Sequence, residues 1–230
     1  MKWTDKGAAL AAALLLVAAV DARADAPPAG AFDWTGIYVG VNAGAAYAHE
    51  RWNFSQIGTD ANSNVWSGVA GGTLGWNFVQ TGPWVFGVEG DYDWADLHSH
   101  TPCPNPAYNC TVNVTNLATA RVRAGYAVRD RLLVFATAGV AGGTVQPAAP
   151  VAAPGTAAAF FTPGKQVRWG YTVGAGVEYA LCERWGGAWS TKLEYLYADL
   201  GDNQFVDNFA EIIHVRTQIQ RVRAGLNFKF

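Results

Sequence analysis

The sequence predicts an all-β chain folded as an eight-stranded antiparallel transmembrane up-and-down β-barrel. Three observations carry that prediction. Apolar and polar residues alternate with period two along most of the chain, as in strands with two unlike faces. The connections between these segments are short and long in turn, as in a bacterial membrane barrel. Aromatic residues gather toward both ends of the segments, where a bilayer has its two interfaces.

The N-terminus differs from the rest. Lys2 and Lys6 precede an unbroken run of small and apolar residues from Gly7 to Val20, and Ala22 and Ala24 close an Ala-x-Ala exit. A basic start, a short apolar core and small residues at the exit describe a secretory signal peptide. The run falls short of the roughly 20 apolar residues that a spanning helix needs. Residues 1–24 are therefore assigned as signal peptide, cut after Ala24, since a cut after Ala26 would set Pro27 beside the scissile bond. Residues 25–230 form one barrel domain.

The strands are expected at 34–48, 64–78, 84–97, 112–128, 132–145, 166–180, 189–199 and 213–230. Short turns fall at 79–83, 129–131 and 181–188. Long loops fall at 49–63, 98–111, 146–165 and 200–212. An even strand number leaves both chain ends on the short-turn side. The 146–165 loop carries Pro147, Pro150, Pro154 and Pro163 among alanines and glycines, a composition of irregular chain.

Each strand has two faces. In the last, Val222, Ala224, Leu226, Phe228 and Phe230 oppose Arg221, Arg223, Gly225, Asn227 and Lys229. In 84–97, Phe86, Val88, Tyr92 and Trp94 oppose Gly87, Glu89, Asp91 and Asp93. In 166–180, valines and aromatics oppose glycines, Arg168 and Glu178. Strand 132–145 is apolar or small on both faces. Volume decides which face is inside. An eight-stranded barrel leaves an interior just wide enough for filling side chains. Glycines fit there and a dozen aromatic rings do not, so the apolar face points out, toward lipid. A soluble barrel would reverse that assignment.

The inward face is charged. Arg-Val-Arg-Ala-Gly occurs twice, at 121–125 and 221–225, and each copy presents two arginines to the lumen. Glu89, Asp91, Asp93, Glu178 and Glu194 oppose Arg121, Arg123, Arg221, Arg223, Lys192 and Arg168, with Lys229 adding positive charge. Unpaired buried charge is costly, so these groups are expected to form a salt-bridge network that plugs the barrel. The alternative is a charged pore lining, which would make the protein a small diffusion channel.

Other chemistry finds little support. The whole chain carries −2 formal charge, with no basic patch for nucleic acid, and 15% charged residues is low for a soluble surface. No cofactor is expected. His49, His98, His100 and His214 fall in or near predicted loops, without the nucleophile, base and orienting group that catalysis needs. Asp96, His98 and His100 share a face at i, i+2, i+4, a spacing that could chelate a divalent metal, but no fourth ligand is fixed, so they are read as a polar loop base and no metal site is assigned. Cys103 and Cys110 flank a short Pro/Asn-rich stretch, and export favours a disulfide between them; Cys182 is left over. Trp52, Phe54, Phe160 and Phe161 are expected on loop tips, where they would meet other surfaces.

Four stretches then carry a resemblance: Phe-Asp-Trp-Thr-Gly-Ile-Tyr-Val-Gly-Val-Asn-Ala-Gly (32–44), Gly-Val-Glu-Gly-Asp-Tyr-Asp-Trp-Ala-Asp-Leu (87–97), Lys-Leu-Glu-Tyr-Leu-Tyr-Ala-Asp-Leu-Gly-Asp (192–202) and Arg-Val-Arg-Ala-Gly-Leu-Asn-Phe-Lys-Phe (221–230). Together they resemble the small opacity-type outer-membrane proteins, also called outer-membrane immunogenic or porin-family proteins, which share an OmpA-like barrel domain. The resemblance spans the mature chain apart from its loops. It implies a surface-exposed envelope protein of Gram-negative cells without catalytic residues. Phe230 resembles the C-terminal aromatic read by the outer-membrane insertion machinery. The partners so implied are outer-membrane lipid, that assembly machinery, and surface or host molecules met through the loops, with the protein itself a monomer. The Cys103–Cys110 loop is not part of the family pattern.

Overall fold

A computed structural model describes residues 32–54, 58–102, 109–148, 165–206 and 212–230. They form strands β1 (Gly36–Phe54), β2 (Thr59–Thr81), β3 (Trp84–Pro102), β4 (Asn109–Arg129), β5 (Leu132–Ala148), β6 (Gln166–Arg184), β7 (Gly187–Val206) and β8 (Ile212–Lys229). Each pairs antiparallel with its neighbours in sequence, and β8 pairs back onto β1 to close the barrel. Closure leaves no unpaired strand edge, the condition for backbone in lipid.

The strands are longer than a bilayer requires. They run from 17 residues in β5 to 23 in β2, whereas about 9–11 tilted residues span the hydrocarbon. Much of what the sequence suggested as loop is therefore strand. The 49–63 connection shrinks to residues between Phe54 and Thr59, and the 98–111 connection to those between Pro102 and Asn109. The short turns tighten as well: β6 and β7 are joined through Trp185 (φ 61°) and Gly186 (φ 77°) alone. Two successive residues of positive φ make a hairpin turn whose twist matches the strands it joins.

The added length builds a second storey. In the membrane storey, outward residues are apolar: Val39, Val41, Leu74, Val122, Val173 and Leu193 are all exposed on the barrel wall. Exposed rings lie at both edges. Trp76, Trp84, Tyr126 and Phe230 mark the turn end, and Trp66 (71% exposed), Trp94 and Trp169 (69%) mark the other. Rings touch across strands in both belts, as Trp84 on Tyr126 and Tyr47 on Trp66.

Above the second belt the polarity reverses while the alternation continues. On β1, His49, Arg51 and Asn53 keep the outward phase of Tyr47, and Trp52 and Phe54 keep the inward phase of Ala46 and Ala48. Trp52, Leu97, Val112, Val114, Leu117, Leu200, Ile213 and Ile219 thereby form a buried apolar core inside the upper barrel. Trp52 and Phe54 are not on loop tips, as the sequence suggested; Phe160 and Phe161 lie outside the described residues. His49, His98 and His100, expected in loops, are likewise on strands β1 and β3, and His214 lies on β8, within the strand expected at 213–230.

The turn end is closed by the chain before β1. Trp34, only 2% exposed, packs with Val85, Leu133 and Ala180. Gln80 accepts its backbone N–H at 2.8 Å and Asn77 donates to its carbonyl at 2.8 Å. Lys229, expected as an inward charge, shares the inward phase of Arg221 and Arg223 but stands at this rim, over the Phe32 ring.

Candidate functional site: the charged lumen

Alternation delivers the charges of the membrane storey to one space. Glu89, Asp91 and Asp93 are consecutive inward positions of β3; Arg121 and Arg123 come from β4, Glu178 from β6, Lys192 and Glu194 from β7, Arg221 and Arg223 from β8. All are buried. These are five carboxylates and five cations, so the cluster is formally neutral. Burying charge in a narrow lumen is tolerable only when each group finds partners there.

Arg121 is gripped by three acids. It donates to Glu194, to Glu89 and to Asp91 (2.5 Å), and also to Thr137 at 3.1 Å. Arg223 reaches Asp93 (3.0 Å), Asp91 (2.5 Å) and Glu194 (2.8 Å from Nη2, 3.1 Å from Nε). Lys192 donates to both oxygens of Glu89 at 2.9 Å. Arg123 bonds Glu178 and the Tyr38 hydroxyl (3.0 Å) and lies 4.0 Å over the Phe135 ring. Ser190 and Asn227 donate to Glu178, while Thr73 and Thr119 donate to Asp91. Arg221 is held least. It reaches Asp93 through Nη1 at 2.5 Å, and among the described residues its Nε and Nη2 meet no acceptor, whereas Arg121 and Arg123 each leave only Nε without one.

Arg168 stands apart from this cluster. It lies near the loop end of β6, ten positions from Glu178, and donates to Gln166. A strand rises about 3.3 Å per residue, so the network is out of its reach.

Tyr38 belongs to the cluster although its position in an apolar stretch concealed it. Its hydroxyl donates to Glu89 at 2.6 Å while accepting from Arg123. Its ring occupies the place where a Cβ on Gly75 would stand, 2.1 Å from the ring carbon. The sequence signal was a tyrosine in the inward phase opposite a glycine, and it is visible only once the β1–β2 register (Tyr38 with Gly75) is known.

The remaining predicted site residues lie elsewhere. Cys110 is disulfide-bonded, Cys182 is free and exposed, and Cys103 lies outside the described residues. Asp96 and His98 pair at 2.5 Å on the outer wall of β3, and the His100 side chain lies outside the described residues. Phe230 is exposed at the lower girdle, its ring against Phe228. Residues 1–24 are also outside the described residues.

Comparison with known proteins bears on this arrangement. The family model for the outer membrane protein beta-barrel domain matches residues 9–230. The chain is 32% identical over 216 residues to the 31 kDa outer-membrane immunogenic protein of Brucella melitensis biotype 1, a match covering 89% of this chain and 87% of that one. The protein of the same name from Brucella suis biovar 1 matches to the same extent. Among solved structures, the outer membrane protein OprG from Pseudomonas aeruginosa superposes with a TM-score of 0.52 at 12% identity, over 85% of this chain and 97% of that one. That likeness concerns the fold alone.

Proposed function

Because this chain belongs to the outer membrane protein beta-barrel domain family, and so resides in the outer membrane, we propose that it acts there as a closed structural barrel that presents its loops at the surface, and not as a diffusion pore. The observation that carries this reading is the filling of the lumen at three heights. Trp34 and its apolar neighbours fill the turn end, the neutral charge cluster fills the membrane storey, and the apolar core fills the upper storey. A solute would have to break paired charges and then cross packed hydrocarbon.

The role is structural rather than catalytic. His49, His98 and His214 stand on three different strands, each bonded to an asparagine or aspartate side chain on the outer wall. The same reading has the chain exported behind residues 1–24, inserted as a monomer by machinery that reads Phe230, and stapled by a Cys103–Cys110 disulfide between β3 and β4. The bonded state of Cys110 and the free state of Cys182 support that pairing. Conductance across planar bilayers tests the central claim. The wild type is expected to give no steady open level. A steady conductance in the wild type would overturn the sealed barrel and make the protein a small pore.

A further inference from the structure

The outer wall of the upper storey sets two arginines side by side. Arg51 of β1 and Arg216 of β8 are direct cross-strand partners. Both point outward, since Arg51 alternates with buried Glu50 and Trp52, and Arg216 with buried Val215 and Thr217. The Arg216 side chain is 52% exposed. Like charges directly opposite on a sheet face, with Cβ atoms about 5 Å apart, destabilise it.

The surrounding acids leave the pair only partly neutralised. Asp199 accepts from Arg216 Nη2 at 2.6 Å and Nε at 3.2 Å, and is shared with Gln218. Asp202 is bonded to His214 and Asp60 to Asn53. Nη1 of Arg216 and the whole guanidinium of Arg51 meet no acceptor among the described residues. Two guanidinium groups rooted at directly opposed positions on one outer face, each with N–H groups left open, suit a phosphate, whose oxygens accept paired N–H bonds.

Height and direction identify the source of that phosphate. On the same face below Arg51 come His49 and then Tyr47, whose ring packs on Trp66 in the upper aromatic belt. Four residues of strand place the arginines about 13 Å along the strand from that belt, or about 10 Å in height at a barrel's tilt. This is the level of headgroups, and the arginines face sideways into them rather than upward from a loop. Below the belt, Ala43, Ala45, Gly68 and Ala70 leave the lipid-facing wall flat for acyl chains.

We propose that Arg51 and Arg216 bind the phosphate of a phosphorylated glycolipid in the outer leaflet. The proposal rests on the membrane placement and not on whether the lumen conducts. Native mass spectrometry of the full-length protein in detergent tests it, with bisphosphorylated lipid A as the probe and heat-modifiable migration as the folding control. Wild type is expected to retain lipid A and to release it when the lipid is enzymatically dephosphorylated, a comparison that needs no variant. Arg51→Gln, which removes a side chain bonded to nothing else among the described residues, is expected to weaken retention about tenfold. Equal retention of dephosphorylated lipid A, or wild-type retention by folded Arg51→Gln, would overturn the proposal. Displacement of lipid A by a soluble sulfated oligosaccharide bound through Arg51 would overturn it in favour of a soluble polyanion.

Discussion

Arg221 and Arg223 occupy successive inward positions of β8 and come from one Arg-Val-Arg-Ala-Gly copy, yet their surroundings separate them. Arg223 ties Asp91, Asp93 and Glu194 together. Removing it leaves buried carboxylates short of a partner, which costs about 3–5 kcal/mol. Among the described residues Arg221 holds only Asp93, which Arg223 also holds, and it buries two nitrogens, Nε and Nη2, without acceptors. Arg223→Met is therefore expected to lower stability well beyond Arg221→Met, whose loss should stay under about 2 kcal/mol. Urea unfolding in lipid vesicles measures both, and equal losses would contradict the asymmetry. His98 gives a residue-scale test outside the membrane storey. Its Nδ1 faces Asn113 Oδ1 at 2.6 Å and its Nε2 faces Asp96 at 2.5 Å. With an acceptor at each nitrogen the imidazolium is favoured, and the bond to Asn113, then Asp96, raises its pKa above the ordinary histidine value. A raised folded pKa means the contact's stabilisation is full below the unfolded pKa and fades as pH rises through the folded one. An NMR titration should show His98 titrating above 6.5, and Asn113→Ala should bring it down; titration at or below the ordinary value in the wild type would refute the two-acceptor account.

At the scale of elements, legibility follows where polarity and alternation agree. In β3, Glu89, Asp91 and Asp93 alternate with exposed Tyr92 and Trp94, so strand, face and lumen charges are all readable from the sequence. Past Trp94 the same strand puts Asp96 and His98 outside and Ala95 and Leu97 inside. A reading that equates outward with apolar carries the strand only to 97, which is why the expected 49–63 and 98–111 connections exceed those observed. The Arg51-Trp52-Asn53-Phe54 stretch held the missing clue, since charge and ring still alternate. In β4, even that clue fails. An irregularity between Val114 and Leu117 shifts the phase, so Val112 and Val114 point in from even positions while Arg121 and Arg123 point in from odd ones. Strand β5, apolar on both faces, became interpretable only through its neighbours: Phe135 turns inward to meet Arg123 across a lumen that no local pattern describes. Local sequence encodes which faces differ, whereas the depth at which the solvent changes from lipid to water belongs to the whole barrel.

At the scale of the molecule, the two storeys amount to two solvents meeting one continuous wall. The membrane storey keeps hydrocarbon outside and charge within; the upper storey keeps headgroups and water outside and hydrocarbon within, as a soluble barrel does. One set of thiol substitutions separates this from a barrel that ends at the upper girdle. With Cys182, the exposed free cysteine, first changed to serine, single cysteines replace Ala70 on the lipid-facing wall, Asn62 on the outer upper wall and Trp52 inside the upper storey. In vesicles, a membrane-impermeant maleimide should label Asn62→Cys at once. It should leave Ala70→Cys silent behind lipid, and should reach Trp52→Cys only after boiling opens the barrel. If Trp52→Cys labels as fast as Asn62→Cys in the folded protein, residues 49–54 behave as a loop and the upper core does not exist in the membrane. If Ala70→Cys labels as well, the wall meets water where it should meet acyl chains, and the outward assignment of the apolar face falls with it. The pattern of one reactive, one lipid-shielded and one core-shielded thiol requires both storeys together, because neither a membrane barrel with loops nor a soluble barrel produces all three.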